Sequence, residues 1–259
     1  RPAPRAEPPR ERAVPQGPAF APGEESTRTP VRGVRRTIAT RLRRSVDTAV
    51  HFTVMDEADV SALDRVRKRI AAASGEKVSF LPFVCSAVAR VLTGRFGALN
   101  ATVEEAGEEM AIVTHRAVHL GIAADTDNGL MVPVVRDADR LGLLQIGREV
   151  ARVAEGARSR SLSRDELSGS TFTISNVGSH AGRFATPVIN APEVGILAVG
   201  RTREGPVVRG GMIGVGKLMP LSLACDHRVV DGATAALALA EIVRLLQDEP
   251  EALLEPARG

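Results

Sequence analysis

The sequence predicts a mixed α/β (α+β) fold in which helices flank one mixed β-sheet. Segments with apolar residues at helical spacing alternate along the chain with shorter segments of strand character. Several strand segments are joined by turns too short for a helical crossover, so we expect parallel and antiparallel pairs in the same sheet. The 259 residues suffice for one such domain and a preceding linker.

The N-terminal segment is too polar and too rich in proline to form a core of its own. Eight of the 16 prolines fall within the first 30 residues, mixed with Ala, Arg and Glu. Such a composition buries too little apolar surface to offset the entropy lost on ordering. We therefore predict a flexible Pro/Ala-rich linker at residues 1–27 and a folded domain at residues 28–259.

Five segments have helical spacing or helix-start signals. They span residues 33–46, 60–73, 81–92, 141–157 and 233–247. The first segment is amphipathic, and its polar face carries five arginines and no acid: Arg35, Arg36, Arg41, Arg43 and Arg44. This face fits a solvated surface or a subunit contact better than an anion or nucleic-acid patch, which stays the alternative.

Seven segments have strand character. They span residues 51–60, 118–124, 130–135, 171–175, 193–200, 207–215 and 218–227. The turn-forming sequence Asp127-Asn128-Gly129 separates the second segment from the third, and Gly210-Gly211 lies inside the sixth.

Composition excludes several classes of protein. The chain has 34 Lys+Arg against 31 Asp+Glu, and it lacks Trp and Tyr, so neither charge nor stacking side chains indicate a nucleic-acid binder. Its two cysteines, Cys85 and Cys225, form no Cys-x-x-Cys pair and no cluster with His at metal-ligand spacing. No apolar run approaches the roughly 20 residues that a membrane span needs, and we expect a cytosolic protein with no metal site.

His227 is the histidine with the most distinctive neighbours. It lies in the sequence DHRVVDG, at residues 226–232, where an apolar strand gives way to an Ala-rich helix. Histidine suits a general base near neutral pH, and Asp231 could orient the imidazole or its loop. In the alternative interpretation, Asp231 only caps the following helix and His227 only satisfies backbone groups.

Ser175 is the second candidate because it ends a row of hydroxyl groups. Thr171, Thr173 and Ser175 share one face of the predicted strand, while Phe172 and Ile174 share the other. Such a row fits either an oxyanion site or a solvent-exposed face.

Cys225 has the same strand parity as His227, which allows a Cys–His nucleophile. However, it continues the apolar alternation of Leu221 and Leu223 and is better explained as a buried core residue.

Eight short motifs identify a family when they are taken together. They are GVRRTIA at 33–39, VSFLPF at 78–83, LNA at 99–101, GIAADT at 121–126, GLMVPV at 129–134, GSTFTISNVG at 169–178, PEV at 192–194 and DHRVVDG at 226–232. On these motifs, residues 28–254 resemble the catalytic (inner-core) domain of the dihydrolipoamide acyltransferases of 2-oxo acid dehydrogenase complexes. One departure is Ala181-Gly182, where the family usually has two glycines.

The resemblance implies a chloramphenicol-acetyltransferase-like fold, assembled as trimers with the active site at the subunit interface. It implies that His227 is the general base, that Asp231 anchors its loop and that Ser175 donates a hydrogen bond to the oxyanion. It also implies six coenzyme A-binding positions: Arg67, Ser79, Asp125, Ser175, Asn176 and Gly200.

The implied reaction moves an acyl group between a dihydrolipoyl thiol and coenzyme A by direct thioester exchange, in a complex of branched-chain or pyruvate type. Further implied partners are a 24-subunit cubic core, a 2-oxo acid decarboxylase and dihydrolipoamide dehydrogenase. The lipoyl group and the docking module are expected upstream of Arg1. The tail DEPEALL, at 248–254, resembles the hook that joins trimers in such cores. The implied location is the bacterial cytoplasm, or the mitochondrial matrix in a eukaryote.

Two other functions are alternatives to this one. A non-catalytic scaffold subunit would not need His227, Asp231 and Ser175, which are all present. A stand-alone chloramphenicol-type acetyltransferase or a condensation domain would carry histidine at the position of Asp226.

Overall fold

The computed structural model describes residues 20, 23, 25–107, 109–126 and 129–258. Most of the predicted linker lies outside the described residues, as do Asp127 and Asn128 of the predicted turn. Across the ranges that are described, no helix combines the length and the apolar character that crossing a bilayer requires.

The described chain alternates helices and strands as predicted. In order, its elements are α1 (Gly33–Thr48), β1 (His51–Asp59), α2 (Ser61–Ser74), α3 (Leu81–Thr93), β2 (Ala101–Ala106), β3 (Glu109–Thr114), β4 (Leu120–Thr126), β5 (Gly129–Met131), β6 (Val134–Val135), α4 (Leu143–Ser159), β7 (Phe172–Asn176), β8 (Gly195–Val199), β9 (Arg203–Arg209), β10 (Met212–Asp226) and α5 (Gly232–Asp248). All five predicted helices form.

The main sheet is mixed, which confirms the predicted fold class. Its central strands follow the order β1-β10-β8-β7-β4-β5, with β6 beside β4 and β9 beside β10. The pairs β4–β7 and β7–β8 are parallel, whereas β1, β8 and β9 are each antiparallel to β10. A separate hairpin of β2 and β3 stands beside this sheet.

Helices α2 to α5 lie on one face of the sheet and enclose the main core. Helix α5 packs against β1, α4 packs against β4, and α3 lies between α4 and α5. Because α3 is surrounded by apolar neighbours, nearly its whole length is buried. Phe83 of α3 and Phe172, Leu197 and Leu223 of the sheet are fully buried in this core.

Helix α1 lies apart from that layer and leaves part of its apolar stripe uncovered. It contacts β5, and the Ser45 hydroxyl donates to the Ile189 carbonyl at 2.6 Å. Leu42 and Val46 remain 44% and 51% exposed in the single chain. This arrangement fits the predicted subunit-contact helix, because apolar side chains on a helix favour burial.

Three local predictions differ from the structure. The segment 130–135 splits into β5 and β6 at Pro133, which lacks the N–H that a central strand donates. The segment 207–215 turns at Gly210-Gly211, so that its first part ends β9 and its second part begins β10. β10 continues as one long strand through the segment 218–227, and His227 lies just beyond it. The β2–β3 hairpin was not predicted, because its glutamates are residues that strands disfavour.

The C-terminal tail packs against its own chain. Residues 250–254 form a short 3-10 turn whose Leu253 is fully buried, and the Ser86 hydroxyl donates to the Leu253 carbonyl at 2.9 Å. The backbone N–H of Arg258 then donates to the Asp139 carbonyl at 2.8 Å. The main apolar side chain of the predicted hook is therefore already used within the chain.

Candidate active site

His227 stands on a turn between β10 and α5. The last pair of the β1–β10 ladder joins His51 to Asp226, and the next backbone N–H, that of His227, donates to the Val50 carbonyl at 2.8 Å. The imidazole is exposed and packs against the Phe52 ring, with 4.4 Å between ring centroids. The turn therefore presents the ring at the surface and supports one of its faces.

Asp226 fixes this turn from inside. Its carboxylate is 1% exposed and accepts hydrogen bonds from the backbone N–H of Val50 and of Arg228, both at 3.1 Å. The Arg228 guanidinium adds a bond of 2.8 Å. Burial alone would raise the pKa of Asp226, but these donors outweigh it and hold the pKa below its usual value.

Asp231 is the N-cap of α5, as the helix-capping interpretation predicted. Its carboxylate accepts the backbone N–H of Thr234 at 2.6 Å, and this hydrogen bond lowers its pKa. The cap also fixes the C-terminal end of the turn that carries His227. The capping and loop-anchoring interpretations are therefore compatible.

The hydroxyl row on β7 does not form a solvent-exposed face. Thr171 and Thr173 are buried, and the Thr173 hydroxyl donates to a Glu193 carboxylate oxygen at 2.6 Å. Ser175, two positions further along, is only half-buried. Phe172 and Ile174 enter the core on the opposite face, as predicted. Of the three hydroxyls, that of Ser175 is the one placed to meet a ligand.

Three of the predicted coenzyme A positions line one cavity. Ser79, Asn176 and Gly200 border a cavity of about 260 Å³, whose wall also includes Phe80 and Ser179. Asn176 follows Ser175 directly in β7, but Ser175 itself does not line this cavity.

Gly200 has no room for a side chain, because a Cβ there would overlap the Arg183 carbonyl. Ala181, in the loop that precedes Arg183, adopts a left-handed backbone with φ of 68°, which explains why the family favours glycine at that position.

The other three predicted positions, Arg67, Asp125 and Ser175, do not line this cavity. The Arg67 guanidinium binds the Asp64 carboxylate at 2.7 Å and lies 5.1 Å from the centre of the Phe80 ring. Asp125 lies 3.5 Å from Nε2 of His180, next to Ser179. Arg67 therefore packs on a residue of the cavity wall, whereas Asp125 contacts a residue next to that wall.

Ser175 and His227 are far apart within one chain. Ser175 is in register with Ala198 of β8, which is in register with Ser222 of β10. His227 lies five positions beyond Ser222 (227 − 222), so about 16 Å along the strand and about 10 Å across it separate the two residues, or roughly 19 Å in all. One chain cannot bring both side chains to the same substrate atom.

Cys225 is not a nucleophile. It is fully buried, and burial together with the neighbouring Asp226 charge raises the pKa of its thiol to about 12. The structure confirms its assignment to the core. Within residues that the structure describes, no group of three His, Cys, Asp or Glu side chains is placed to hold a metal ion.

Sequence reasoning missed the role of Glu193. Its side chain is buried and accepts hydrogen bonds from the hydroxyls of Ser170 and Thr173 and from the Asn190 amide. Burial raises the pKa of this carboxyl to about 7. The three donors lower it only in part, because none of them carries a charge. Glu193 also borders a cavity of about 550 Å³ that reaches Asp226 and Arg228. The PEV motif marked the position but not this function.

Comparison with known families and proteins gives consistent matches. The profile of the family described as "2-oxoacid dehydrogenases acyltransferase (catalytic domain)" matches residues 23–255. The dihydrolipoyllysine-residue acetyltransferase component of the pyruvate dehydrogenase complex of Staphylococcus aureus is 48% identical over 225 residues, which are 85% of this chain and 51% of that protein. The chain thus spans about half the length of the curated relatives it matches.

Solved structures agree with this sequence similarity. The dihydrolipoamide acetyltransferase of Azotobacter vinelandii superposes with a TM-score of 0.82 at 37% identity, over 93% of this chain and 100% of that one. A structure of the cubic core of the pyruvate dehydrogenase multienzyme complex superposes equally well, at 36% identity over the same shares. Chloramphenicol acetyltransferase shares the fold, with a TM-score of 0.51 at 13% identity over 80% of this chain and 94% of its own.

Proposed function

The chain belongs to the family of 2-oxoacid dehydrogenase acyltransferase catalytic domains, and on that premise we propose that it transfers an acetyl group between a dihydrolipoyl thiol and coenzyme A. The observation that carries this proposal is the cavity in which Ser79, Asn176 and Gly200 meet. The family resemblance implied these three positions, which are far apart in the sequence, and they line one cavity. The pyruvate type of complex follows the name of the Staphylococcus aureus relative.

The active site is completed by a second copy of the chain. Ser175 and His227 of one chain are two strand spacings and five residues apart, too far to act on one substrate atom. In our proposal, the His227 turn of one copy therefore meets the Ser175 end of its neighbour. Exposure of the His227 ring and of the α1 apolar stripe supports such a contact. A head-to-tail pairing of different surfaces forms a ring when its rotation closes, and the trimer that the resemblance implies is such a ring.

The chemistry follows from two side chains. His227 takes the proton from the attacking thiol as its sulfur forms a bond to the thioester carbonyl carbon. Ser175 donates a hydrogen bond to the oxygen that gains negative charge, a contact typically worth about 3 kcal/mol in the transition state. His227 then returns the proton as the second carbon–sulfur bond breaks. Asp231 and Asp226 hold the turn. Because a thiol and a thioester are present both before and after the transfer, reactants and products have similar energies, and the chain mainly aligns the two reacting groups.

The same premise extends to assembly and location. We propose that 24 copies of this domain, residues 28–259, form a cubic core. Its partners are a 2-oxo acid decarboxylase and dihydrolipoamide dehydrogenase. The cubic-core structure among the matches supports that assembly. The bacterial sources of the curated relatives support a bacterial cytoplasmic location.

The first experiment measures transfer from acetyl-, isobutyryl-, isovaleryl- and succinyl-CoA to free dihydrolipoamide. We expect acetyl-CoA to be the best donor and the His227→Ala variant to lose activity because no base remains. Analytical ultracentrifugation must show that the variant keeps the assembly of the parent. An absence of transfer from every donor by a folded assembly would support the scaffold alternative.

A second experiment tests whether two copies share each site. Inactive His227→Ala and Ser175→Ala chains are unfolded together and refolded as mixed assemblies. Random mixing should restore about a quarter of the sites, because each site then needs its histidine from one variant and its serine from the other. Separately refolded variants, combined afterwards, are the control. Mixed assemblies no more active than this control would place the whole site within one chain.

A further inference from the structure

The turn that carries His227 is joined to an element outside the main sheet. The strand ladder ends at Asp226, and beyond the His227 N–H bond to Val50 and the Phe52 contact, the turn is held by Asp226, Arg228 and the cap at Asp231. Arg228 is the member of this group that reaches outward. Its Nε and Nη2 bind the Asp226 carboxylate, and its Nη1 points away from the turn.

The outward-pointing nitrogen of Arg228 is held by the β2–β3 hairpin. Nη1 donates to a Glu105 carboxylate oxygen at 2.7 Å and lies 3.7 Å from the Met110 sulfur. Glu105 and Met110 are directly opposite each other in the hairpin, so both of its strands contact the same nitrogen. One guanidinium thus joins the buried Asp226 to a cross-strand pair of another element.

These bonds are the polar contacts between the domain and the part of the hairpin that lies beyond Val103. Near its base, the hairpin is fixed through the Val103 N–H, which donates to the Pro192 carbonyl at 2.8 Å. Beyond Val103, in the part that the structure describes, hydrogen bonds and ion pairs from outside the hairpin come from Arg228. The hairpin and the turn therefore fix each other's position.

We propose that Glu105 is a positioning residue for His227, acting through Arg228, a role that rests on the function proposed above. Without the Glu105 carboxylate, Nη1 of Arg228 loses its acceptor and the guanidinium gains freedom to turn towards solvent. Asp226 keeps its backbone donors, so the domain still folds, but the turn that displays the imidazole is less constrained. An exposed base held by a short turn is sensitive to this, since a displacement of about 1 Å costs up to 100-fold in rate.

Glu104 provides a matched control. It is one position from Glu105, on the opposite face of β2, and is exposed. Neither a hydrogen bond nor an ion pair of its side chain is found with other described residues. Glu104→Ala and Glu105→Ala therefore remove the same carboxylate from the same hairpin, but only the second removes the acceptor of Arg228 Nη1.

The kinetic experiment compares these two variants in the assembled protein. We expect Glu105→Ala to lower kcat for acetyl transfer by roughly 10- to 100-fold while the KM values for acetyl-CoA and dihydrolipoamide change less than about twofold. Glu104→Ala should match the parent, and both should keep the parent's melting temperature. Equal kcat in the two variants, a change confined to KM, or loss of assembly with Glu105→Ala would each overturn the proposal.

A spectroscopic experiment keeps the proposal testable if the parent transfers no acyl group. The chain has no Trp and no Tyr, so Phe52→Trp introduces one indole beside the His227 ring. A protonated imidazole quenches indole emission on close contact, so the emission measured against pH reports the geometry of this pair. We expect Glu105→Ala, but not Glu104→Ala, to change that quenching. Identical titrations would overturn the positioning role, whereas an inactive parent with altered quenching would overturn only the proposed function.

Discussion

Glu193 is the residue whose chemistry depends most on its surroundings. Its carboxyl is buried among neutral donors from β7 and from the segment before β8. The Thr173 hydroxyl that it accepts lies on the same strand and the same face as Ser175. The sequence showed the row of hydroxyls but gave no partner for Thr173, because its acceptor comes from a segment 20 positions away.

We predict that ionisation of Glu193 lowers the free energy of unfolding of the domain as the pH rises from about 5 to about 7. Its native pKa, about 7, exceeds that of an unfolded glutamate, so the native chain holds more protons in this window and the free energy of unfolding falls with pH. The loss is on the order of 3 kcal/mol and stays constant above the window. Urea denaturation of the parent and of Glu193→Gln at pH 5, 6, 7 and 8 measures it. Parallel stability curves for the two proteins would contradict this prediction.

At the scale of elements, the end of β8 decides the shape of the candidate coenzyme A cavity. Its last residue, Val199, leads into Gly200, whose backbone N–H donates to the Pro220 carbonyl at 2.8 Å. The Arg183 carbonyl approaches Gly200 so closely that no side chain fits between them. Three segments from distant parts of the sequence therefore meet where the cavity wall forms.

We expect Gly200→Ala to destabilise the domain by about 1 to 3 kcal/mol, because the added methyl group must displace backbone. It should also raise the KM for acetyl-CoA, since the displaced backbone is the cavity wall. Gly214→Ala is the control, because a Cβ at Gly214 has no atom within 4 Å and the backbone there is not left-handed. Thermal unfolding and steady-state kinetics check both variants. Equal behaviour of the two alanine variants would show that the close approach at Gly200 is unimportant.

At the scale of the whole molecule, the C-terminal tail serves the fold of its own chain. Leu253 is fully buried, and a 2.6 Å ion pair joins Glu251 to Arg69 of α2. Removing residues 251–259 would therefore damage the domain as well as any contact between trimers. A test of the hook hypothesis must separate these two effects.

Leu253→Ala should lower the stability of the domain by about 2 to 5 kcal/mol, the usual cost of a cavity at a buried leucine. Leu237→Ala, at a leucine of α5 that is 50% exposed, should change it by less than about 0.5 kcal/mol. Calorimetry measures stability, and analytical ultracentrifugation of the same samples measures assembly. If Leu253→Ala dissolves large particles into trimers without lowering the melting temperature, the tail acts between trimers rather than within the chain.

The sequence by itself determined the helices, most of the strands and the motifs that identify the family. Those features depend on local spacing: α1 to α5 follow apolar periodicity, and the DHRVVDG turn follows a strand end and a helix cap. Only the tertiary structure decided which side chains meet. Strand register, summed across β7, β8 and β10, separates Ser175 from His227, and a hairpin that propensity did not predict holds Arg228. Both results depend on pairing between segments distant in sequence, which no local pattern encodes.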